Sequence, residues 1–328
     1  MRALDDLDRR LLNDFQHDFP LVARPFAAIA DVTDQTEAAV MARLAWLRLD
    51  GAVSRVGAVF RPHTVGASTL AAMAVPAERL DEVAALVSAC PQVNHNYQRD
   101  HRLNLWFVVA CADRAEVAAV LDGIGAATGL AVLDLPLVED YHIDLGFDLG
   151  WGSHGLRSAR PAPSTPPVLD ARDLDLVGVL ADGLPLVERP YRSLGAAIAM
   201  DEDEVLARLQ AMIEAGAIRR FGVVVRHHEL GFRANAMVVW DIPDDAVAHV
   251  GAQLAAMPQV TLCYRRPRRL PTWPYNLFCM VHGRDRSSVE AAIADFGLDY
   301  PHAVLFSTRR FKQTGARYGR RAEKAAAE

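Results

Sequence analysis

The sequence predicts an α+β fold in which a winged helix-turn-helix domain followed by a ferredoxin-like domain occurs twice. The first observation is a long repeat: residues 19–26 (FPLVARPF) return as 184–191 (LPLVERPY), and residues 50–57 (DGAVSRVG) return as 215–222 (AGAIRRFG). The second is that both halves carry the same order of helical and strand patterns. A period of about half the chain is too long for a solenoid. We therefore expect a pseudo-dimer within one polypeptide.

Each half opens with three predicted helices. Apolar residues at helical spacing mark the first helix of each half: Leu4, Leu7, Leu11 and Leu12, then Leu174, Val177 and Leu180. The third helices are predicted over residues 33–49 and 200–214. Thr33 or Asp34 is expected to cap the earlier one, with Glu37 completing a capping box. Both helices should end at a glycine in the left-handed conformation, Gly51 and Gly216.

The rest of each half follows the β-α-β-β-α-β order of a ferredoxin-like domain, after one wing strand at 53–60 or 218–225. The first-half elements are predicted at 67–75, 78–89, a strand pair flanking 97–109, 115–127 and 130–137. Their second-half counterparts are predicted at 234–241, 245–256, a pair flanking 264–282, 287–296 and 303–308. The predicted domains are 1–60, 61–150, 169–225 and 226–318, with a proline-rich linker at 151–168 and a tail at 319–328.

Composition limits the classes of function. The 328 residues are 51% hydrophobic and 23% charged, as is ordinary for a globular protein. No apolar run reaches the roughly 18 residues of a membrane span, and the acidic N-terminus lacks a signal core, so we expect a cytoplasmic protein. Four cysteines without C-x-x-C spacing favour free thiols over a disulfide or zinc site.

The acidic balance argues against nucleic-acid binding. The net charge is −6, whereas DNA affinity requires a basic surface. The third helix would enter the major groove, yet its first turn is acidic in both halves: Asp34 and Glu37, then Asp201, Glu202, Asp203 and Glu204. We therefore expect no operator binding.

Two equivalent segments concentrate polar, aromatic and basic residues on the central strand pair of each ferredoxin-like domain. One is residues 93–107 (VNHNYQRDHRLNLWF) and the other is 261–283, which contains LCYRR, WPYNLF and VHG. Residues 225–237 (VRHHELGFRANAM) precede the second segment along the chain. The arginines at 265–269 stand beside Trp273 and Tyr275, which favours a ligand-binding role for this segment over a solvated loop.

These motifs resemble those of the siroheme decarboxylases, the Lrp/AsnC-like enzymes of alternative haem and d1-type haem biosynthesis. The resemblance rests on the His/Cys-Tyr-x-Arg motif, the WPYNLF run at 273–278 and the ANAMVVW strand at 234–240. The chain looks like the two-subunit enzyme of denitrifiers joined into one polypeptide. The resemblance implies a carboxy-lyase that converts two ring acetates of siroheme into methyl groups, with no cofactor beyond the iron-containing tetrapyrrole substrate.

The resemblance also assigns candidate residues. The catalytic candidates are His227, His282, Tyr264 and His95. The substrate-binding candidates are Arg265, Arg266, Arg268, Arg99, His228, Cys263, Trp273, Tyr275, Asn276, Tyr97 and His101. No protein metal site is expected, and whether a histidine ligates the substrate iron stays open. So does pairing of fused chains into a homodimer.

The two halves differ at these positions. His282 corresponds to Ala110 in the first half, and His95 corresponds to Leu262 in the second. We therefore expect one main active site in the second half, with residues contributed across the pseudo-dimer interface. The alternative function is a ligand-sensing Lrp/AsnC-type transcriptional regulator with the same fold.

Overall fold

The computed structural model describes residues 4–62, 64–143, 167–226, 230, 234–316 and 318. The chain forms two compact units, and each of them combines segments of both halves. One unit comprises residues 1–65, 146–230 and 318–328, and the other comprises residues 66–145 and 231–317. Among the helices of the described ranges, none combines the length and apolar character that crossing a bilayer requires.

The first unit contains the paired helix-turn-helix segments. Its elements are α1 (Asp6–Asn13), α2 (Pro25–Thr33), α3 (Glu37–Leu49), β1 (Val53–Phe60), α6 (Ala171–Leu180), α7 (Pro190–Ala196), α8 (Glu202–Glu214) and β7 (Ile218–Val225). The two wing strands, β1 and β7, pair antiparallel, with Gly57 opposite Gly222. Each half therefore supplies one strand of a two-stranded sheet.

The predicted cap of α3 is wrong, because the preceding helix continues further than expected. Thr33 still belongs to α2, where its hydroxyl donates to the carbonyl of Ile29 at 2.7 Å. Asp34 closes that helix in the left-handed conformation, with φ 55°. Thr36 caps α3 instead, by accepting from the backbone N–H of Ala39. The glycine expected after each third helix does have positive φ, 90° at residue 51 and 73° at residue 216.

The second unit contains both ferredoxin-like domains, and the β-α-β-β-α-β order is confirmed in each. The first half supplies β2 (Ala67–Met73), a 3-10 turn (Ala77–Arg79), α4 (Leu80–Ala89), β3 (Val93–Arg99), β4 (Leu105–Cys111), α5 (Arg114–Thr128), β5 (Leu133–Pro136) and β6 (Glu139–Ile143). The second half supplies β8 (Ala234–Trp240), α9 (Val247–Ala255), β9 (Val260–Arg265), β10 (Leu277–Gly283), α10 (Arg286–Asp295) and β11 (His302–Gln313).

The final strands of the two halves are exchanged, a feature that the sequence patterns did not reveal. The sheet order is β5-β2-β4-β3-β11-β8-β10-β9-β6. β5 pairs with β2 of its own half, whereas β6 pairs with β9 of the other half. Likewise β11 pairs first with β8 and then continues along β3 of the first half. The strand predicted at 130–137 contains β5, but the separate strand β6 was not predicted, and the strand predicted at 303–308 was shorter than β11.

Alternation along the strands gives the sheet two apolar faces. One face packs under helices: α4 and α5 cover it in the first half, and α9 and α10 cover it in the second. The other face gathers side chains from both halves into one cluster, which includes Trp106, Leu135, Met237, Phe278 and Leu305. We call this second face the shared face. It is where residues of the two halves meet.

Candidate active site

The β9–β10 hairpin divides its candidate residues between the two faces. Tyr264 pairs with Phe278, and both belong to the shared-face cluster. Because side chains alternate along a strand, Met280 and His282 follow Phe278 onto that face. Cys263 and its partner Cys279 lie instead in the helix-covered core.

His282 is held at both ring nitrogens. Its Nε2 lies 2.8 Å from the amide nitrogen of Asn235 on β8, and its Nδ1 lies 3.0 Å from the hydroxyl of Thr261 on β9. The Thr261 hydroxyl is also 3.3 Å from the carbonyl oxygen of Met280. Polar groups buried in a sheet need such partners. This catalytic candidate is therefore anchored by the two strands that flank its own.

The surroundings of His282 favour its neutral form. Burial, together with the nearby positive charge of Arg99, lowers the pKa of its imidazole to about 4. Desolvation penalises a charged imidazole, and a neighbouring cation does the same. In the ligand-free chain His282 is therefore an uncharged hydrogen-bonding group at neutral pH.

This shift predicts how stability depends on pH. The pKa of His282 in the folded chain, about 4, lies below its ordinary value of 6.5. Between these values the unfolded chain binds the additional proton, so the free energy of unfolding should fall as pH falls from about 6.5 to about 4, by at most about 3 kcal/mol. Urea unfolding at about pH 7 and about pH 4.5 measures the effect. The variant His282→Gln should show a smaller loss, and an equal loss in both proteins would contradict the assignment.

Arg99 brings a positive charge from the first half to this place. Its guanidinium donates to the carbonyl of Leu305 at 2.9 Å and lies 3.9 Å from the sulfur of Met280. The residue is only 7% exposed. Among the described residues no carboxylate pairs with it, and its Nε has no hydrogen-bond partner. Burial lowers its pKa to about 10, so a carboxylate ligand would relieve an existing electrostatic cost.

Arg266 repeats this arrangement in the second half. It donates to the carbonyl of Leu135, which is the counterpart of Leu305 on the exchanged strand. Its guanidinium lies 5.1 Å from the ring centroid of Tyr264 and 5.8 Å from that of Phe278. Burial lowers its pKa to about 10. Within the described ranges it too has no carboxylate partner, so the shared face holds two related guanidinium groups.

The remaining arginines of the basic segment are paired with protein carboxylates. Arg265 lies 3.2 Å from Asp244, and Arg268 lies 2.7 Å from Asp241 and 2.8 Å from Asp244. The positive charges of Arg265 and Arg268 are therefore already balanced by aspartates. In this respect they differ from the other two substrate-binding arginines, Arg99 and Arg266.

The first-half candidates His95 and Tyr97 lie on β3, on the same face as Arg99. Their rings stack with centroids 6.2 Å apart and planes inclined by 23°. Tyr97 pairs with Arg310 of the exchanged strand β11. The structure thus groups the three first-half candidates in one row at every second residue of β3.

The aromatic candidates form a packed cluster on the shared face. The ring of Trp273 is 5.2 Å from Trp106, 5.0 Å from Tyr275 and 5.7 Å from His101. Both tryptophans are almost fully buried, and the Nδ1 of His101 accepts from the backbone of Leu103 at 3.1 Å. These four residues form a packed aromatic wall. Within it Tyr275 and His101 remain partly exposed to solvent.

The contacts of two substrate-binding candidates, Cys263 and Asn276, indicate structural roles. Cys263 is fully buried, with its sulfur 3.2 Å from that of Cys279, on the face opposite His282. The amide of Asn276 donates to the carbonyl of Ile242 and accepts from its N–H, both at 2.9 Å. Asn104 holds Val75 in the same way in the first half, which indicates a structural role at this corner. His227 and His228 lie outside the described residues.

The first half lacks an equivalent of the imidazole. In the sheet register His282 pairs with Asn235, and at the matching place Ala110 pairs with Ser68. His282 and Ala110 therefore occupy equivalent positions of the sheet, and the difference between the halves that the sequence indicated there lies on the same face in the structure. Asn235 and Thr261 were not among the residues predicted for the site. The detectable signal was a polar residue at an inward position of the otherwise apolar strand ANAMVVW.

Two known protein families match the helix-turn-helix and ferredoxin-like segments of both halves. The family described as AsnC-like ligand binding domain matches residues 65–142 and 229–312. The family described as siroheme decarboxylase NirDL-like HTH domain matches residues 8–53 and 173–219. Both families match twice, once in each half, in agreement with the duplication.

Full-length relatives share the fused arrangement. The siroheme decarboxylase NirDL subunit of Paracoccus denitrificans is 49% identical over 319 residues, which cover 96% of this chain and 98% of that protein. The siroheme decarboxylase NirD subunit of Pseudomonas aeruginosa is 53% identical over 146 residues, 44% of this chain and 97% of that subunit. A crystal structure of siroheme decarboxylase NirDL in co-complex with an iron-uroporphyrin III analogue is 30% identical, with a TM-score of 0.68 and coverage of 99% and 98%.

Proposed function

The chain belongs to the family of NirDL-like siroheme decarboxylases, and from this membership we propose that it is a carboxy-lyase that converts two ring acetates of siroheme into methyl groups. The observation that carries the proposal is the juxtaposition on the shared face of an anchored imidazole, His282, and a buried guanidinium, Arg99, that has no carboxylate partner among the described residues. An acidic tetrapyrrole supplies the missing negative charge. No cofactor beyond the substrate's own iron tetrapyrrole is part of the proposal.

Substrate binding uses Arg99 and Arg266. A guanidinium group binds a carboxylate through two parallel hydrogen bonds, and the Nε of both side chains has no hydrogen-bond partner in the part of the chain that the structure describes. Their neighbouring groups are aromatic or apolar, so the bound carboxylates would be shielded from water and held strongly. Tyr275 and His101, at the partly exposed edge of the aromatic wall, complete the proposed substrate contacts.

The chemistry requires a carbon–carbon bond to break and a carbon–hydrogen bond to form. The carboxylate group of the acetate leaves as CO2, the electron pair of the broken bond stays on the ring-attached methylene carbon, and that carbon takes up one proton to become a methyl group. The conjugated macrocycle delocalises the electron pair before protonation. We assign the proton transfer to His282, with His227, Tyr264 and His95 as the other candidates.

Charge coupling links binding to this proton transfer. In the ligand-free chain the positive charge of Arg99 helps to keep His282 unprotonated. A substrate carboxylate on Arg99 would neutralise that charge and favour the imidazolium form, since an anion nearby stabilises a cation. Binding of the substrate would thereby prepare the group that delivers the proton.

The regulator alternative has less support. In α8 two of the three acidic residues of the first turn are bound to arginines: Glu202 pairs with Arg189, and Glu204 lies 2.7 Å from Arg172 and 2.9 Å from Arg208. These arginines are thus engaged rather than offered to phosphates. The exposed positions of α8 are mainly acidic or alanine: Asp203, Ala207, Gln210, Ala211 and Glu214. Such a face does not read base edges.

Anaerobic incubation of the purified chain with siroheme tests the proposal. We expect mass spectrometry to show conversion of siroheme to a product that has lost two CO2 molecules. We also expect no retention of double-stranded DNA at physiological salt. A bound but unchanged pigment would contradict the enzyme and support a sensor, and tight DNA retention would do the same.

A further inference from the structure

We propose that Asn235 and Thr261 are positioning residues, which hold the imidazole of His282 in one orientation and as one tautomer. The tautomer carries its proton on Nδ1 and leaves Nε2 as an acceptor. This geometric inference concerns the ligand-free chain, and only its kinetic consequence rests on the proposed function. Asn235 lies in the ANAMVVW strand, whereas Thr261 belongs to none of the motifs that carried the family resemblance, and neither residue was predicted as a site residue.

The two hydrogen bonds reach His282 from opposite sides. β10 lies between β8 and β9 in the sheet. Asn235 stands directly opposite His282 in the β8–β10 register, and Thr261 lies in the irregular step of β9 where the register shifts between Met280 and Val281. The extra residue at this step places the Thr261 hydroxyl within reach of Nδ1. Rotation of the ring would break both contacts at once.

The hydrogen bonds also have a consistent direction. The Asn235 atom that lies within hydrogen-bond distance of Nε2, at 2.8 Å, is the amide nitrogen, which can only donate, so Nε2 accepts. The proton of a neutral imidazole then lies on Nδ1 and is donated to the Thr261 oxygen. That hydroxyl in turn donates to the carbonyl of Met280. The hydrogen bonds therefore run in one direction, from the Asn235 amide to the His282 ring, then to the Thr261 hydroxyl and finally to the Met280 carbonyl.

The buried side-chain oxygen of Asn235 shows how the other neutral tautomer of His282, with its proton on Nε2, could form. Its Oδ1 has no hydrogen-bond partner among the described residues. If the amide turned over, Oδ1 would accept from Nε2–H and the tautomer would reverse. In the neutral ring Thr261 prevents this, because its hydroxyl already donates to Met280 and offers only an acceptor to Nδ1. Only in the imidazolium form, where both ring nitrogens donate, would the turned amide accept from Nε2–H. The threonine therefore selects the tautomer, and the asparagine fixes the ring plane.

The first half provides a natural contrast. Ser68 occupies the place of Asn235, and Ala110 occupies the place of His282. The positioning residue and the imidazole are thus absent together from that half. The variant Ser68→Ala is a matched control, because it removes a polar group at the equivalent sheet position where no imidazole can depend on it.

Nitrogen NMR of isotopically labelled His282 tests the proposal without substrate. The parent chain should show one neutral tautomer, with the proton on Nδ1. Thr261→Val keeps the shape but removes the hydroxyl, so we expect a mixture or the reversed tautomer, and Thr261→Ser should restore the parent signals. An Nε2–H tautomer in the parent, or unchanged signals in Thr261→Val, would overturn the proposal, whether or not the chain decarboxylates siroheme.

Kinetics then show whether positioning matters for turnover. Thr261→Val should lower kcat about 10- to 100-fold with little change in KM, since a small misplacement of a reacting group has an effect of this size. Thr261→Ser should recover most of the loss, and Ser68→Ala should match the parent. If Thr261→Val reversed the tautomer but kept full kcat, the positioning role in catalysis would be refuted, while the assay of the parent separately reports on the proposed function.

Discussion

Replacing His282 with alanine should lower kcat for siroheme decarboxylation by about 100- to 10,000-fold. This is the usual range for the loss of a general acid or base. His282 is the imidazole that the sheet anchors on the shared face beside a buried cation. The loss should appear in single-turnover rates measured under anaerobic conditions, because the chemical step itself is affected.

Two further variants make this result interpretable. His249→Ala removes an exposed histidine on α9 and should leave kcat unchanged, which controls for loss of an imidazole as such. His227→Ala should also abolish turnover under our hypothesis of one site in the second half. Full activity in both His227→Ala and His282→Ala would remove these residues from the mechanism.

Replacing Arg99 with methionine should separate binding from stability. A hydrogen bond to a charged group contributes roughly 1.5–3 kcal/mol, so loss of the carboxylate clamp should raise KM about 10- to 100-fold. The folded chain should not lose stability, because a buried cation that has no carboxylate partner within the described ranges is replaced by an apolar side chain of similar length. Thermal unfolding and steady-state kinetics on the same preparation measure both effects.

The matched control is Arg309→Met. Arg309 lies on β11, is exposed, and is paired with Asp81, so its loss should change neither KM nor Tm appreciably. An Arg99→Met variant with a clearly lower Tm and an unchanged KM would show that Arg99 is a packing residue. The opposite pattern is expected of a residue retained for its ligand.

Much of the architecture was predictable from the sequence, because it depends on local patterns that the duplication shows twice. The third helices, their terminal glycines and the ferredoxin-like order all follow from periodicity and turn residues. The contrast between His282 and Ala110 needed only the comparison of the two halves. The structure then placed both residues at the same position of their sheets.

What the sequence could not predict depends on pairing between distant segments. Arg265 and Arg266 are neighbours in the chain, yet one is paired with Asp244 and the other has no carboxylate partner among the described residues. Nothing local distinguishes them, since the difference arises from the face to which each side chain points. The roles of Asn235 and Thr261 were hidden for the same reason: their common partner lies on a third strand.

The exchange of final strands has a consequence for how the protein responds to dilution. β11 spans both halves, and β3, which it completes, carries Arg99 towards His282. In a relative assembled from separate subunits, such an exchange would be governed by the concentration of the partner. Here both segments belong to one polypeptide, so their encounter is intramolecular and has an effective concentration set by the chain itself. Formation of the Arg99–His282 neighbourhood is therefore a first-order process, and specific activity should not decay as the protein is diluted.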